Sequence, residues 1–193
     1  MAGAEKKDPH ADLPPGLLEE RGSGWLHIGG EVRKPGWQVL NAQAGPHVDH
    51  VGDLRDLSRF ASASFDMVYA SHVLEHVGQN ELSPVLGELA RLLRPGGRLF
   101  AAVPDMKALC WIFANPNVTE QERVEVMRII FGGQIDAYDF HKIGLWDWYL
   151  GNLLGAAGFA QVYRVARFGL FEDTSNLAAG EIPLSLNMVA VKP

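Results

Sequence analysis

Residues 26–37 read LHIGGEVRKPGW: an apolar run, a pair of glycines, and a short polar link to a second strand-like run that begins at Trp37. An apolar strand that enters Gly29-Gly30 has the form of the first strand-to-helix turn of a nucleotide-binding α/β domain. A parallel crossover normally takes a dozen or more residues and usually contains a helix. Only residues 31–36 separate the glycines from Trp37. The stretch therefore predicts a parallel α/β sheet whose first crossover is irregular and has lost its helix.

Working outward, short apolar runs bounded by Gly, Pro, Asp or Ser predict strands at 25–28, 37–40, 48–51, 65–70 and 98–103. Leu82, Val85, Leu86, Leu89, Leu92 and Leu93 recur at helical spacing until Arg94-Pro95-Gly96-Gly97 stops them. Thr119 and Glu122 have the spacing of a capping box ahead of Val126, Ile129 and Ile130. Leu145, Trp148, Tyr149 and Leu153 make a further helical stripe that Gly158 closes. Strands at 161–168 and 184–191 finish the chain. Strands alternating with helices predict a Rossmann-like α/β fold with about seven strands, mostly parallel, and a terminal pair that fits an antiparallel arrangement.

With 193 residues, 47% of them apolar, the chain supports one domain with a sizeable core, placed at 23–193. Residues 1–22, rich in proline and charge, read as a flexible or loosely draped tail. The net charge of -6 offers no basic stripe for a phosphate backbone, so nucleic acid is excluded as a partner and a small molecule is favoured. A lone cysteine, Cys110, rules out an intrachain disulfide and agrees with a reducing compartment. No signal-like or membrane-spanning apolar run is present, which gives a cytoplasmic expectation with no membrane partner.

The segments SFDMVYASHVLEHV (64–77) and LLRPGGRLFAAVPD (92–105) resemble class I S-adenosylmethionine-dependent methyltransferases, and the resemblance runs over roughly residues 24–193. The shortened LHIGG entry, SHVLEH, and the FGLFEDTSNL and IPLSLNMVAVK stretches resemble a small bacterial subgroup of that family. The resemblance implies S-adenosylmethionine as cofactor. It places Gly29 and Gly30 at the turn that approaches the cofactor, and Asn41 or nearby Gln43 where a carboxylate normally meets the ribose. It also places Asp53 on the adenine amino group with Leu54 against the ring, and Ala70, Ser71 and His72 at the amino-acid end. From spacing alone, Asp53 fits equally well as the cap of a helix over residues 54–60, and Gly29-Gly30 as a plain tight turn.

HVLEH (72–76) also matches the H-x-x-E-H pattern of zinc peptidases, but such a helix should be long and continuous, whereas His72 follows a strand and Gly78 interrupts. The pattern is therefore read as pocket histidines with no metal. His141, in YDFHKIG, lies in a segment expected over the same sheet edge, with Asp139 and Tyr138 placed to orient it. Together with His76 it is the candidate catalytic base. Asp173–Ser175 and Asn187 read as polar groups that satisfy buried loop backbone, and Trp111, Trp146 and Trp148 as core or interface.

The functional expectation is a methyltransferase acting on a small or sugar-like acceptor. Two alternatives stand beside it: a non-catalytic binding or assembly module on the same fold, and a zinc hydrolase built on HVLEH. The missing helix should leave one side of the cofactor site open, to be covered by the N-terminal tail or by a second subunit of a homo-oligomer.

Overall fold

The structure, a computed structural model, describes residues 13–193. Residues 1–12, the first part of the expected tail, lie outside the described residues.

Seven strands form one sheet in the order β3-β2-β1-β4-β5-β9-β6. They are β1 (Trp25–Ile28), β2 (Trp37–Asn41), β3 (His50–Val51), β4 (Phe65–Ser71), β5 (Leu93–Pro104), β6 (Gln161–Val165) and β9 (Ser185–Val191). β3, β2, β1, β4 and β5 are mutually parallel, while β9 runs antiparallel to both β5 and β6. A two-stranded hairpin of β7 (Ala178–Ala179) and β8 (Ile182–Pro183) stands apart. The chain thus has the expected Rossmann-like α/β sheet with its antiparallel terminal pair.

β1 and β2 lie side by side, pairing Trp25 with Trp37 through Ile28 with Leu40, and no helix forms in residues 29–36. The short crossover is pinned instead by side chains. Lys34 Nζ donates to the Leu170 carbonyl and pairs with Glu20 Oε1 at 2.6 Å, and Trp37 Nε1 donates to the same Glu20 oxygen. The link from β2 to β3 also lacks a helix. So does the link from β3 to β4, where the helix expected over 54–60 is a series of turns. Asp53 Oδ1 there accepts from the Arg55 backbone N–H, an Asx-type turn in place of a helix cap.

The two sheet faces are covered differently. α1 (Gln79–Leu92) and α4 (Asp147–Ala156) pack on one face, where Leu82, Leu86, Leu89, Leu150 and Leu154 meet the alternate side chains Leu26, Val68, Leu99, Ala101 and Ala190 in one apolar cluster. Glu81 Oε2 accepts from the Gly78 N–H at the start of α1. The opposite face, built from Trp37, Met67, Tyr69, Phe100 and Val189, carries no α-helix among the described residues and is covered by Leu17, Phe168, Leu170 and Phe171, with the 3-10 turn Thr174–Asn176 bonded to Tyr69 and Asn187 through Ser175.

Residues 13–22, read from sequence as part of the tail, therefore contribute to the packed interior. Arg98, 6% exposed, donates to the carbonyls of Gly16, Leu17 and Glu19 and holds the segment down. Asn187 Nδ2 donates to the Ala166 and Ser175 carbonyls, and Tyr69 Oη donates to Asp173, so these polar groups anchor the cover loop as expected.

α2 (Met106–Ala114) and α3 (Glu120–Phe131) form a separate layer with Leu109, Ile112, Val126 and Leu184 at its centre. Asp105 caps α2 by accepting from the Lys107 and Ala108 N–H groups, and the Thr119–Glu122 capping box is formed. Trp111 and Trp148 are exposed, which removes the core half of the core-or-interface expectation.

Candidate functional site

The strand order reverses between β1 and β4, and at such a point the loops after the strands diverge and leave a crevice. A cavity of about 740 Å³ opens there, a size that suits a cofactor plus a small ligand. Its walls come from residues that follow the C-terminal ends of the first four strands: Gly29 after β1, Asn41 and Gln43 at β2, Asp53 and Leu54 after β3, and His72 after β4.

Of the expected cofactor residues, Gly29, Asn41, Asp53, Leu54 and His72 line this cavity, while Gly30, Ala70 and Ser71 are not among its lining residues. Gly29 has φ +75, and an added Cβ would collide with the Val73 side chain. A Cβ on Gly30 would lie 2.7 Å from His27 Nδ1. The chain's own packing thus requires both glycines, whatever else approaches them. Ala70 is fully buried between β1 and β5.

Asn41 is committed locally: its Nδ2 donates to the Gly30 carbonyl and its Oδ1 accepts from the Gln43 N–H. Asp53 accepts from Arg55 Nε at 2.9 Å and Nη2 at 2.6 Å, and the guanidinium holds its carboxyl below the usual range. Asp53 is thus a charged acceptor with part of its capacity still free, since a carboxylate has about four acceptor positions.

Residues 132–142 pass over the open side of the cavity. Asp136 Oδ2 accepts from Gln43 Nε2 at 3.2 Å, and Tyr138, Phe140 and Lys142 add to the wall. The cover on this side is therefore an internal loop. The described part of the N-terminal segment packs on the helix-free sheet face and does not line the cavity.

Beneath the same wall four side chains converge. His72 has φ +51, a left-handed conformation that costs a non-glycine residue roughly 1 kcal/mol or more and clusters at functional sites. After it the chain makes one 3-10 turn, Leu74–His76, separated from α1 by Val77 and Gly78, so HVLEH does not lie on a long helix. This turn buries Glu75, whose side chain is 1% exposed, and leaves His76 partly buried on the cavity wall. His141 arrives from the covering loop with its ring 4.8 Å from that of His76.

The hydrogen-bond partners set the tautomers of this group. His76 Nδ1 lies 3.1 Å from the Phe140 carbonyl and His141 Nδ1 2.8 Å from the Ile129 carbonyl, so each carries its proton on Nδ1 and leaves Nε2 a lone pair. Ser185 Oγ donates to the Thr174 carbonyl, so His72 Nε2 donates to Ser185 Oγ. His72 Nδ1 then faces Glu75 Oε1 at 3.2 Å. That contact is within ion-pair distance, yet neither Glu75 oxygen has a well-aligned hydrogen-bond donor.

Burial lowers the pKa of His141, with Glu75 pulling the other way, which keeps the imidazole neutral near pH 7. Its orientation comes from the Ile129 carbonyl. Asp139, expected to hold it, instead accepts from the Ile135 N–H. The structure therefore brings the two proposed bases together, but only His76 faces the cavity. Glu75, His76 and His141 place ligand-type atoms within 4.8 Å of one another, and these are the residues able to hold a metal ion. Glu75 was visible in the sequence only as the fourth residue of HVLEH; its burial depends on a single turn that periodicity does not reveal.

The sequence matches a family profile described as "Methyltransferase domain" over residues 27–101, less than half of the chain. No curated protein matches the sequence. Among solved structures, a SAM dependent methyltransferase from Archaeoglobus fulgidus superposes with a TM-score of 0.57 at 14% identity, covering 92% of this chain and 89% of that one. A Bordetella parapertussis protein described as a possible exported protein gives 0.56 at 13% identity over 92% of this chain, which spans 64% of its length. The 1,6-didemethyltoxoflavin-N1-methyltransferase of Burkholderia thailandensis, with S-adenosylhomocysteine bound, gives 0.52 at 16% identity, covering 87% and 70% of the two chains. The chain has the α/β Rossmann-like fold of methyltransferases. Among the described residues no helix is long and apolar enough to cross a membrane.

Proposed function

We propose that the chain is an S-adenosylmethionine-dependent methyltransferase for a small or sugar-like acceptor. The observation that carries this reading is the cavity at the β1/β4 reversal, with Gly29, Asn41, Asp53 and His72 around it in strand order. The cavity has room for a nucleoside-sized ligand, and Asp53 supplies a charged acceptor on the wall where an adenine amino group would lie. Asn41 is the weaker element, because its amide is committed to Gly30 and Gln43. An amide also lacks the charge-assisted hydrogen bond that a carboxylate gives a ribose diol.

Bound there, the cofactor would supply a sulfonium methyl group as electrophile. The chain's own part is to orient the acceptor and exclude water. The loop 132–142 closes the open side through Asp136 and Gln43, and Tyr138 and Phe140 add apolar wall. His76, with its proton on Nδ1, has Nε2 available to take a proton from an acceptor hydroxyl; His141 supports it from behind. The net charge of -6 favours a neutral or cationic acceptor over a polyanion.

Calorimetric titration of the purified chain with S-adenosylhomocysteine tests the reading. A single saturable site is expected, with affinity weakened by the missing helix N-terminus at the first turn. No heat and no thermal shift at millimolar ligand would leave the fold without the chemistry and favour the binding-module alternative.

A further inference from the structure

The cluster beneath the cavity wall has an electrostatic problem that the protein's own atoms do not solve. Three acceptor atoms face one another. His76 and His141 spend their Nδ1 protons on the Phe140 and Ile129 carbonyls, so both Nε2 atoms are lone pairs. Glu75 is 1% exposed and neither of its oxygens accepts a well-formed hydrogen bond. His141 Nε2 lies 3.9 Å from Glu75 Oε1, a distance at which two acceptors repel unless a cation lies between or beside them. His72 Nδ1 lies 3.2 Å from Glu75 Oε1, and Oε2 has no partner.

We propose that Glu75, His76 and His141 form a binding site for one divalent transition-metal ion, with two imidazole Nε2 atoms and one carboxylate oxygen as ligands. Two independent features support it. One is the buried carboxylate in the cluster, which accepts no hydrogen bond and whose Oε2 has no partner of any kind. The other is the outer shell: each histidine gives its far ring N–H to a backbone carbonyl, the arrangement that fixes tautomer and ring direction in metal-binding histidines. The ligand atoms lie within 4.8 Å of one another, whereas a tetrahedral ion with bonds of about 2.1 Å has edges of about 3.4 Å, so the widest edge closes by about 1.4 Å at most. Rotation about the side-chain bonds of His76, which is only partly buried, supplies a movement of that size.

Two nitrogens and one oxygen suit zinc, cobalt, nickel or iron(II) rather than magnesium or calcium, which prefer all-oxygen sites. Three protein ligands leave coordination positions open, and His76 places the site at the cavity wall; an ion there takes the His76 Nε2 lone pair, so that histidine is available as a base only in the metal-free chain. HVLEH alone is insufficient, since of its two histidines only His76 joins the ligand group, while His72 Nε2 is engaged by Ser185. The third ligand comes from the loop 132–142, so an ion would also fasten that loop to the turn after β4.

The test is independent of methyl transfer and uses no cofactor. The untagged full chain is stripped with chelator and titrated with Zn²⁺ by calorimetry and with Co²⁺ by visible absorption. One equivalent per chain is expected, with Co²⁺ d–d bands showing nitrogen and oxygen ligation. His141→Ala and Glu75→Gln should each weaken binding by at least about tenfold, while His50→Ala, on β3 at the far sheet edge, should leave it unchanged. Because Glu75→Gln alters a buried group, His76→Ala provides a second variant at a more exposed position. Absence of saturable one-to-one binding in the folded chain would overturn the proposal, as would binding that survives both His141→Ala and His76→Ala.

Discussion

Lowering the pH should destabilise this protein through His27 in a way that one substitution removes. His27 lies on β1, 4% exposed, with its ring among those of Trp37, Tyr69 and Phe171 and its Nδ1 without a partner. Burial lowers its pKa from 6.5 to about 4, and Asp173, the one charge acting on it, pulls weakly the other way. Above pH 6.5 the imidazole is neutral in both folded and unfolded chains, and its contribution to stability is fully present. As pH falls from 6.5 towards 4, the unfolded chain takes up a proton that the folded chain refuses, and stability is lost at about 1.4 kcal/mol per pH unit. Below about 4 the folded His27 is also protonated and the loss levels off, at about 3 kcal/mol in total.

His27→Phe keeps an aromatic ring for Tyr69 and Phe171 and cannot titrate. Urea unfolding of both proteins between pH 7 and about pH 5 should show the wild type losing roughly 2 kcal/mol more than the variant. Carboxylates common to both proteins cancel in that difference. Parallel profiles over this range would refute the assignment of a buried neutral imidazole.

Asp53→Ala should weaken S-adenosylhomocysteine binding by about tenfold to a hundredfold, which corresponds to the roughly 1.5–3 kcal/mol of a hydrogen bond to a charged acceptor; unchanged affinity in a folded variant counts against the proposed pose. Arg98→Met should lower stability by about 2–3 kcal/mol, because three carbonyls of residues 16–19 lose their donor. Limited proteolysis should then cut first within residues 13–22, and a cleavage pattern identical to wild type would argue that the segment is held by Leu17 alone.

Much of the sheet was legible because a parallel strand buried on both faces leaves a compact apolar run between turn residues, as FDMVYA and LFAAVP do. The irregular first crossover followed from chain length alone. α2 was hidden because its sequence, MKALCWIFA, continues the apolar character of β5 and its only start signal is Asp105, which strand ends also carry. Residues 54–60 showed the reverse: Asp53 had the look of a helix cap, but its carboxylate is taken by Arg55 and the chain turns instead.

At the site, the meeting of His76 and His141 followed from placing both segments over one sheet edge. The inward turn of Glu75 did not, since a charged residue beside two histidines reads as solvent-facing until the left-handed His72 redirects the chain. Residues 13–22 are held more firmly than their composition suggested for a related reason. Their prolines and charges suggested a loose tail, while the carbonyls that anchor residues 16–19 through Arg98 leave no mark on side-chain composition.

The helix-free sheet face bears on the order in which this molecule assembles and opens. When a sheet is covered by the helices of its own crossovers, each cover forms next to the strands it protects, with little loop-closure entropy to overcome. Here the cover over Trp37, Tyr69 and Phe100 is drawn from residues 13–22 and 166–171, which converge from opposite ends of the chain and meet where Lys34 joins Glu20 to Leu170. Neither piece can settle before the strands of both halves have paired. The two cover segments should therefore settle last, and their amide hydrogens should exchange before those of the paired strands beneath them.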